Sequence, residues 1–397
     1  MNSDLYDVVV VGGGPAGATA ASDLAQQGWR VLLVDRQGRI KPCGGAIPPR
    51  LIRDFDIPDE LLVAKIRCAR MVAPSHKQVD IAIDDGFVGM VNRDSFDEWL
   101  RVRAQQHGAE RVQAIFDKID RDATGQAQVH LRVISNKGDE HVRCVRARMV
   151  IGADGAKSQV AHQAIEGAHK TRYVFAYHEI LQAPEHQSDY DPQRCDVYYQ
   201  GHVSPDFYGW IFPHGRTLSV GTGSADKGFS LRSAVATLRE QTGLQQQPVL
   251  RREGAPLPLK PLPRWDNARD VVLVGDAAGV VAPSSGEGIY YAMASARMVA
   301  SAVHNSLKEN NPKRLAQARK QFMREHGRVF WVLGVMQYFW YQNDRRRERF
   351  VSICEDRDVQ QITFDAYMNK RMVRKKPMAH VKIFFKDLAH LFGWARV

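Results

Sequence analysis

Apolar residues in this chain fall into two kinds of run, and the contrast between them sets the expected architecture. Leu5 with Val8 to Val11 forms a near-continuous apolar stretch, as does Val31 to Val34, the mark of strands buried on both faces. Between them Pro15 suits the first turn of a helix, Ala16, Ala18, Ala20 and Ala21 keep it slim, and Gly28 is placed to stop it. This predicts a strand–helix–strand unit ending on Asp35. Further strands are expected over 112–134, 142–151 and 270–274, the last leading into a helix rich in Ala, Tyr and Met. Elsewhere the pattern shortens to alternation. It does so from Leu61 to Met90, with a turn at Asp84-Asp85-Gly86, and from Arg172 to Gly223, where aromatic residues are frequent. An amphipathic helix is expected to begin near Asn92, with Asp94 or Ser95 as its cap.

The expected fold class is therefore α/β (α+β mixed): a Rossmann-like dinucleotide-binding domain, an inserted antiparallel β-sheet substrate domain and a helical C-terminal region. The first domain is expected in three parts, 1–75, 92–168 and 269–310. The β-sheet domain takes 76–91 and 169–268, and the helical, basic region takes 311–397.

The turn after the first strand reads Gly12-Gly13-Gly14-Pro15-Ala16-Gly17 and holds the G-x-G-x-x-G spacing. Gly12 allows the tight turn, Gly14 lets backbone approach a pyrophosphate, and Gly17 permits close helix–strand packing, while the helix N-terminus offers free N–H groups. Asp35 is placed to accept hydrogen bonds from a ribose. Alone the spacing is weak; flanked by strand, helix, second strand and terminal acid it marks a dinucleotide site, without choosing between FAD and NAD(P). Two later strand ends choose. One closes in Ile151-Gly152-Ala153-Asp154-Gly155, the other in Gly275-Asp276, followed by Gly286-Glu287-Gly288-Ile289 at a helix start. Asp276 suits a ribityl hydroxyl, and the amides from Gly286 to Ile289 favour negative charge on a reduced flavin. Three glycine-rich strand ends imply a cofactor longer than one pyrophosphate site serves, which fits FAD.

Pro42-Cys43-Gly44-Gly45-Ala46 is expected to lie over the rest of that cofactor, with Cys43 either a thiol near the flavin or a small space-filling residue. Arg93 stands just ahead of its helix, either reaching a phosphate or flavin or solvated. The aromatic run Pro205-Asp206-Phe207-Tyr208-Gly209-Trp210-Ile211-Phe212-Pro213, with Gly221 and Gly223 after it, would on its own read as core.

Composition adds compartment and partner. The 397 residues carry 55 Lys and Arg against 44 Asp and Glu, a net charge of +11 that favours an anionic partner. Cysteines 43, 68, 144, 195 and 354 are odd in number and show no C-x-x-C, so neither a disulfide framework nor a metal site is expected. The first strand begins almost at once, which predicts no signal peptide. No apolar run reaches the ~18 residues of a membrane span.

Gly12/Gly14/Gly17, Asp154-Gly155 and Gly275-Asp276 together resemble the three fingerprints of the p-hydroxybenzoate-hydroxylase-like FAD fold. By that likeness Arg93 matches the Arg ahead of the helix that contacts FAD. Within that fold, Pro42-Cys43-Gly44-Gly45 and P-x-x-Y-x-W-x-F-P at 205–213 with Gly221-x-Gly223 resemble the geranylgeranyl reductases. Cys354-Glu355-Asp356-Arg357-Asp358-Val359-Gln360 and Tyr367-Met368-Asn369-Lys370 are similar to their chlorophyll and bacteriochlorophyll branch; with no plastid transit peptide, a bacterial form is implied. The resemblance implies NADPH as reductant, FAD as hydride carrier, and saturation of three isolated double bonds of a geranylgeranyl chain, free as the diphosphate or esterified to a pigment. It assigns FAD contacts to Gly12, Gly14, Ala16, Gly17, Asp35, Cys43, Gly44, Ala46, Arg93, Asp154, Gly155, Gly275, Asp276, Gly286, Gly288 and Ile289. Cys43, Tyr208 and Trp210 are the expected catalytic residues, and Tyr208, Trp210, Phe212, Pro213, Gly221 and Gly223 the expected substrate channel. A flavin monooxygenase shares all three fingerprints, but the Cys43 loop and the 205–223 motif argue against it. A non-catalytic prenyl-binding escort shares the fold, but intact flavin-binding glycines and Asp276 argue against that.

From Asn343 onward there are 13 Lys and Arg against 7 Asp and Glu. Phe330 to Tyr341 is nearly all apolar, and Val381, Phe384, Phe385, Leu388, Leu391 and Phe392 recur at helical spacing with Lys382 and Lys386 between them. Arg345-Arg346-Arg347, Lys370-Arg371 and Arg374-Lys375-Lys376 add basic clusters. The coincidence predicts peripheral attachment to an anionic membrane surface and no nucleic-acid partner, the alternative being two helices packed on the main body with their charges solvated; the resemblance implies that the protein is cytoplasmic and that the membrane is the photosynthetic inner membrane. Oligomeric state is not readable from the sequence.

Overall fold

The structure, a computed structural model, describes residues 5–36, 40–83, 86–134, 140–185, 189–361 and 370. In chain order its elements are β1 (Leu5–Val11), α1 (Pro15–Gln26), β2 (Val31–Asp35), β3 (Ala46–Ile47), α2 (Pro49–Asp54), β4 (Leu62–Ile66), β5 (Cys68–Val72), β6 (Gln78–Ala82), β7 (Val88–Val91), α3 (Arg93–Gln106), β8 (Glu110–Arg121), β9 (Ala127–Ile134), β10 (Glu140–Gly152) and α4 (Gln159–Ala164). They continue with β11 (Val174–Gln182), β12 (Arg194–Tyr198), β13 (Gly209–His214), β14 (Thr217–Ser224), α5 (Leu231–Gln241), β15 (Val249–Leu257), β16 (Val271–Leu273), α6 (Ile289–Glu309), α7 (Ala316–Trp340) and α8 (Asp344–Ile353). The chain forms two compact units. One comprises Met1–Lys41, Arg93–Tyr173 and Pro256–Phe330; the other comprises Pro42–Asn92, Val174–Ala255 and Trp331–Val397.

The first unit is built on parallel strands. β1 pairs with β2 on one side and β10 on the other, β2 pairs with β8, and β10 pairs with β16, all parallel. β9 runs antiparallel to both β8 and β10. Val8 to Val11 and Val31 to Val34 are at most 2% exposed, as an apolar run without alternation requires. The small residues of α1 let it lie close to α6 and α3. Two local readings need correction. The apolar run over 112–134 is a hairpin, because the Asp122 carboxylate accepts the amides of Thr124 and Gln126, both at 2.9 Å, and Gly125 turns the chain at φ +81°. α3 begins at Arg93, so Asp94 lies in its first turn and neither Asp94 nor Ser95 is the cap.

The second unit holds a seven-stranded sheet in the order β15-β11-β14-β13-β12-β5-β6, antiparallel from β11 through β12, with β12 and β5 parallel, and a smaller antiparallel sheet β3-β7-β4. Val235 and Leu238 of α5 pack with Ile211, Leu218 and Val220 on one face of the large sheet. Strand alternation puts Trp210, Phe212, Ser219 and Gly221 on the opposite face.

Unit boundaries differ from those expected. Residues 42–75, read with the first domain, pack in the second unit, because β5 pairs with β12 in the register Cys68↔Arg194. Residues 256–268, read with the β-sheet domain, belong to the first unit, where the Leu273 amide donates to Trp265 O at 2.7 Å and Trp265 is fully buried. Residues 311–330 pack there too, with the Phe322 ring 5.2 Å from that of Trp265. Among the described residues no helix is long and apolar enough to cross a membrane. The expected stripe Val381–Phe392, the Lys and Arg from 371 to 376, and Tyr367-Met368-Asn369 lie outside the described residues.

Candidate functional site

In the first unit the predicted residues gather where the parallel strands end. Gly12 sits at φ +108°, and a Cβ there would lie 2.3 Å from Ala153 O, so the ends of β1 and β10 meet at a position only glycine fits. A Cβ on Gly17 would lie 1.8 Å from Gly12 O, which is why α1 can start hard against the turn. Gly275, at φ +63°, brings the end of β16 within 2.7 Å of the Ala16 side chain by the same measure. Gly14 is different: a Cβ there meets nothing within 4 Å. It is the N-cap of α1, and having no side chain it leaves the first-turn amides without a side-chain cap. A dinucleotide pyrophosphate fits that geometry, and it is the one glycine of the motif whose smallness the protein's own packing does not demand.

Asp35, at the end of β2, accepts from the Gly13 amide at 3.2 Å and pairs with Arg101 at 3.1 Å. Burial pushes its carboxyl up; Arg101, the Gly13 amide and Arg111 work against that. A Cβ on Gly13 would lie 2.6 Å from the Asp35 carboxyl carbon, so Gly13 is needed as well. Arg101 also donates to Gly13 O at 3.2 Å, tying α3 to the motif. Asp276 is buried beside the start of α6 and pairs with Lys41 at 2.5 Å. Gly288 is the N-cap of α6 and Gly286 takes φ +65°, with Ile289 opening the helix.

Two predicted residues have partners of their own within this unit. Asp154 accepts from Ser158 Oγ at 2.5 Å and from the Gln159 and Val160 amides at 2.6 and 3.2 Å, so its carboxylate caps α4; burial raises its pKa. Gly155, at φ +85°, keeps open space around its Cα. Arg93 is buried and makes a bidentate pair with Asp97 at 2.8 and 2.7 Å. Sequence reasoning missed Gly13, Lys41, Arg101 and Arg111, whose partners are remote in sequence.

In the second unit the Cys43 loop and the aromatic strand come together. His214, last residue of β13, donates from Nε2 to Gly44 O at 3.0 Å. Burial drives its pKa down to about 4, with the Gly44 carbonyl opposing and His178 and Arg251 adding to the fall, so it is neutral. A Cβ on Gly44 would lie 3.2 Å from the Phe212 ring, and one on Gly45, at φ +72°, would lie 2.5 Å from His214 Cε1. The Gly45 amide donates to Cys43 Sγ at 3.4 Å, and Ala46 opens β3.

Tyr208 and Trp210 are buried, their rings 5.9 Å apart in an edge-to-face arrangement, and Phe212 follows 6.1 Å from Trp210. Trp210 Nε1 donates to Ser219 Oγ at 3.0 Å; Ser219 Oγ also bonds His178 Nδ1 at 2.8 Å, and His178 Nε2 meets Glu253 at 3.1 Å. Burial raises the Glu253 carboxyl, but His178 and Arg251 hold it below the usual range. A Cβ on Gly221 would lie 2.3 Å from the Trp210 ring, and one on Gly223 3.0 Å from Phe207, so these glycines make room for the aromatic rings. Pro213 is buried within β13.

The basic cluster at 345–347 does not act as one surface. Arg347 is 2% exposed, pairs with Asp344 at 2.7 Å, and donates to the Pro205 and Tyr341 carbonyls. Arg345 is exposed, and Arg346 stacks 4.3 Å over Phe339.

Residues 7–376 match the family model described as lycopene cyclase protein. A geranylgeranyl diphosphate reductase of Rhodobacter capsulatus is 57% identical over 98% of each chain. Among solved structures, a geranylgeranyl bacteriochlorophyll reductase-like protein of Thermoplasma acidophilum superposes with a TM-score of 0.81 at 23% identity, covering 95% of this chain and 99% of its own. A myxobacterial chondrochloren halogenase, a variant of the FAD-dependent halogenases, does so with a TM-score of 0.65 at 20% identity, over 95% and 92%. The fold is that of FAD-dependent enzymes, and the chain belongs to the lycopene cyclase protein family, among its geranylgeranyl reductases.

Proposed function

We propose that this chain is an FAD-dependent geranylgeranyl reductase that uses NADPH to saturate three isolated double bonds of a geranylgeranyl chain, yielding the phytyl group. The substrate is geranylgeranyl diphosphate or the same chain esterified to a chlorophyll-type pigment. The observation that carries the reading is the packing of the Pro42–Gly45 loop on β13, through Phe212 against Gly44 and His214 to Gly44 O, which joins the two motifs that resemble those of the geranylgeranyl reductases and argue against a monooxygenase.

When bound, FAD supplies the hydride. The amides around Gly14 would hold its pyrophosphate, Asp35 its adenosine ribose, and Asp276 a ribityl hydroxyl. Lys41, now paired with Asp276, orients that carboxylate. An unactivated alkene has no carbonyl for hydrogen-bond donors to polarise, so orientation and exclusion of water carry the catalysis. Tyr208, Trp210 and Phe212 offer an apolar wall for the prenyl chain, and Cys43 lies at the end of the loop packed on it. A basic, amphipathic C-terminal segment would hold the enzyme on the anionic membrane where such a chain resides.

Anaerobic incubation with NADPH and each candidate prenyl substrate, followed by product analysis, tests this. Dihydro-, tetrahydro- and hexahydro- products are expected from at least one substrate. Oxygen-dependent hydroxylated product, or no reduction of either substrate by flavin-replete protein, would overturn the proposal.

A further inference from the structure

Helix α7 carries two opposed faces. Phe322, His326 and Phe330 are at most 5% exposed. Trp331, Val335 and Tyr338, spaced i, i+4, i+7, are 70%, 47% and 76% exposed. Single exposed apolar residues are ordinary, but three in register make a face. The same stripe, continued toward the helix start, falls on Arg324 and Arg328, both exposed. It contains no acidic residue, although Glu325 stands exposed beside it.

We propose that this stripe lies in the interfacial layer of an anionic bilayer, with Trp331, Val335 and Tyr338 at headgroup depth and Arg324 and Arg328 paired with lipid phosphates. The inference rests on the membrane contact proposed above and assigns it to a described helix. The residue types favour lipid over a protein partner. Trp and Tyr rings, apolar with one polar tip, concentrate at membrane–water boundaries, and Arg stems reach along apolar surface while the guanidinium stays at phosphate level. Charge agrees: the chain is +11 overall, and an anionic surface draws basic residues lying within a Debye length. With no helix among the described residues able to cross, contact in the membrane plane is what α7 offers.

The test is co-sedimentation of the full-length flavoprotein with phosphatidylglycerol/phosphatidylcholine vesicles, with light scattering of the protein alone. Trp331→Ser/Tyr338→Ser and Arg324→Gln/Arg328→Gln touch exposed positions, so both should keep wild-type flavin content and melting temperature. The aromatic pair is expected to weaken vesicle binding at least tenfold and leave a salt-sensitive remainder; the arginine pair should measurably reduce the salt dependence. If both variants bind as wild type while a chain ending before Pro377 does not, the inference is overturned and the membrane reading survives on the C-terminal segment. If wild type binds no vesicle, both fall. A wild-type dimer that Trp331→Ser/Tyr338→Ser dissolves would overturn it in favour of a face between copies.

Discussion

Replacing His214 by Gln tests whether a neutral histidine fastens the Cys43 loop to β13. The imidazole is 8% exposed and its Nε2 proton goes to Gly44 O, so a second proton would place a charge in a buried setting that already faces His178 and Arg251. Burial lowers its pKa from an ordinary 6.5 to about 4. Between those values the unfolded chain binds a proton that the folded chain refuses, so stability rises with pH. The contribution is complete above the unfolded pKa, and it is lost as pH falls toward the folded one. Each pKa unit corresponds to about 1.4 kcal/mol, so roughly 2 kcal/mol should vanish by pH 5 and about 3 by pH 4. Gln keeps an N–H donor for Gly44 O and titrates nowhere. Urea unfolding of the flavoprotein from pH 4.5 to 8, wild type against His214→Gln, isolates the term, because the carboxylates contribute equally to both. The difference between the two curves should change by that amount across the window and stay flat above pH 7. Parallel profiles throughout, or a His214 resonance titrating near its ordinary value, would refute the reasoning.

The glycines give a second contrast. Gly14→Val should fold with the melting temperature of the wild-type apoprotein yet bind no FAD, whereas Gly12→Ala, placing a Cβ 2.3 Å from Ala153 O at φ +108°, should fail to fold well; both are read by calorimetry and bound-flavin absorbance. Gly221→Ala drives a methyl to 2.3 Å from the Trp210 ring and 2.6 Å from the His178 Cβ, so overpacking should cost about 1–3 kcal/mol and swing the indole off Ser219, visible as altered Trp fluorescence. Trp210→Ala should leave partly reduced prenyl products while NADPH still bleaches the flavin; loss of FAD instead would make Trp210 merely core. Lys41→Met should weaken FAD retention by leaving Asp276 buried without its cation partner, measured by flavin dissociation; unchanged retention would remove Lys41 from the site.

What could be read from sequence was what is local. A strand buried on both faces, a glycine spacing and a terminal acid lie within thirty-odd residues, and their geometry follows from sterics that do not depend on the rest of the chain. The hairpin inside 112–134 is equally local: Asp122-Ala123-Thr124-Gly125 is a turn sequence set between apolar residues that by themselves read as strand. Partners distant in sequence were not legible. Arg101 looks like a solvated helix residue until α3 is laid beside the β1–α1 turn, and Lys41 finds Asp276 across 235 positions. The 42–75 segment reads as a continuation of the first domain because nothing within it announces a parallel partner at β12.

The same distinction explains how the two recognition motifs work. Pro42–Gly45 and 205–223 look like separate signatures, but each fixes the other. Gly44 and Gly45 are small because Phe212 and His214 press on them, and Gly221 is small because Trp210 lies across it. The ring of Trp210 is then oriented from behind by Ser219, within the second motif, and through it by His178 and Glu253, which belong to neither. The orientation of the aromatic rings therefore depends on polar residues beneath them. An indole whose N–H were left buried without an acceptor would turn to find one, and on the proposed channel reading the wall would lose the orientation that reduction of an unactivated double bond requires.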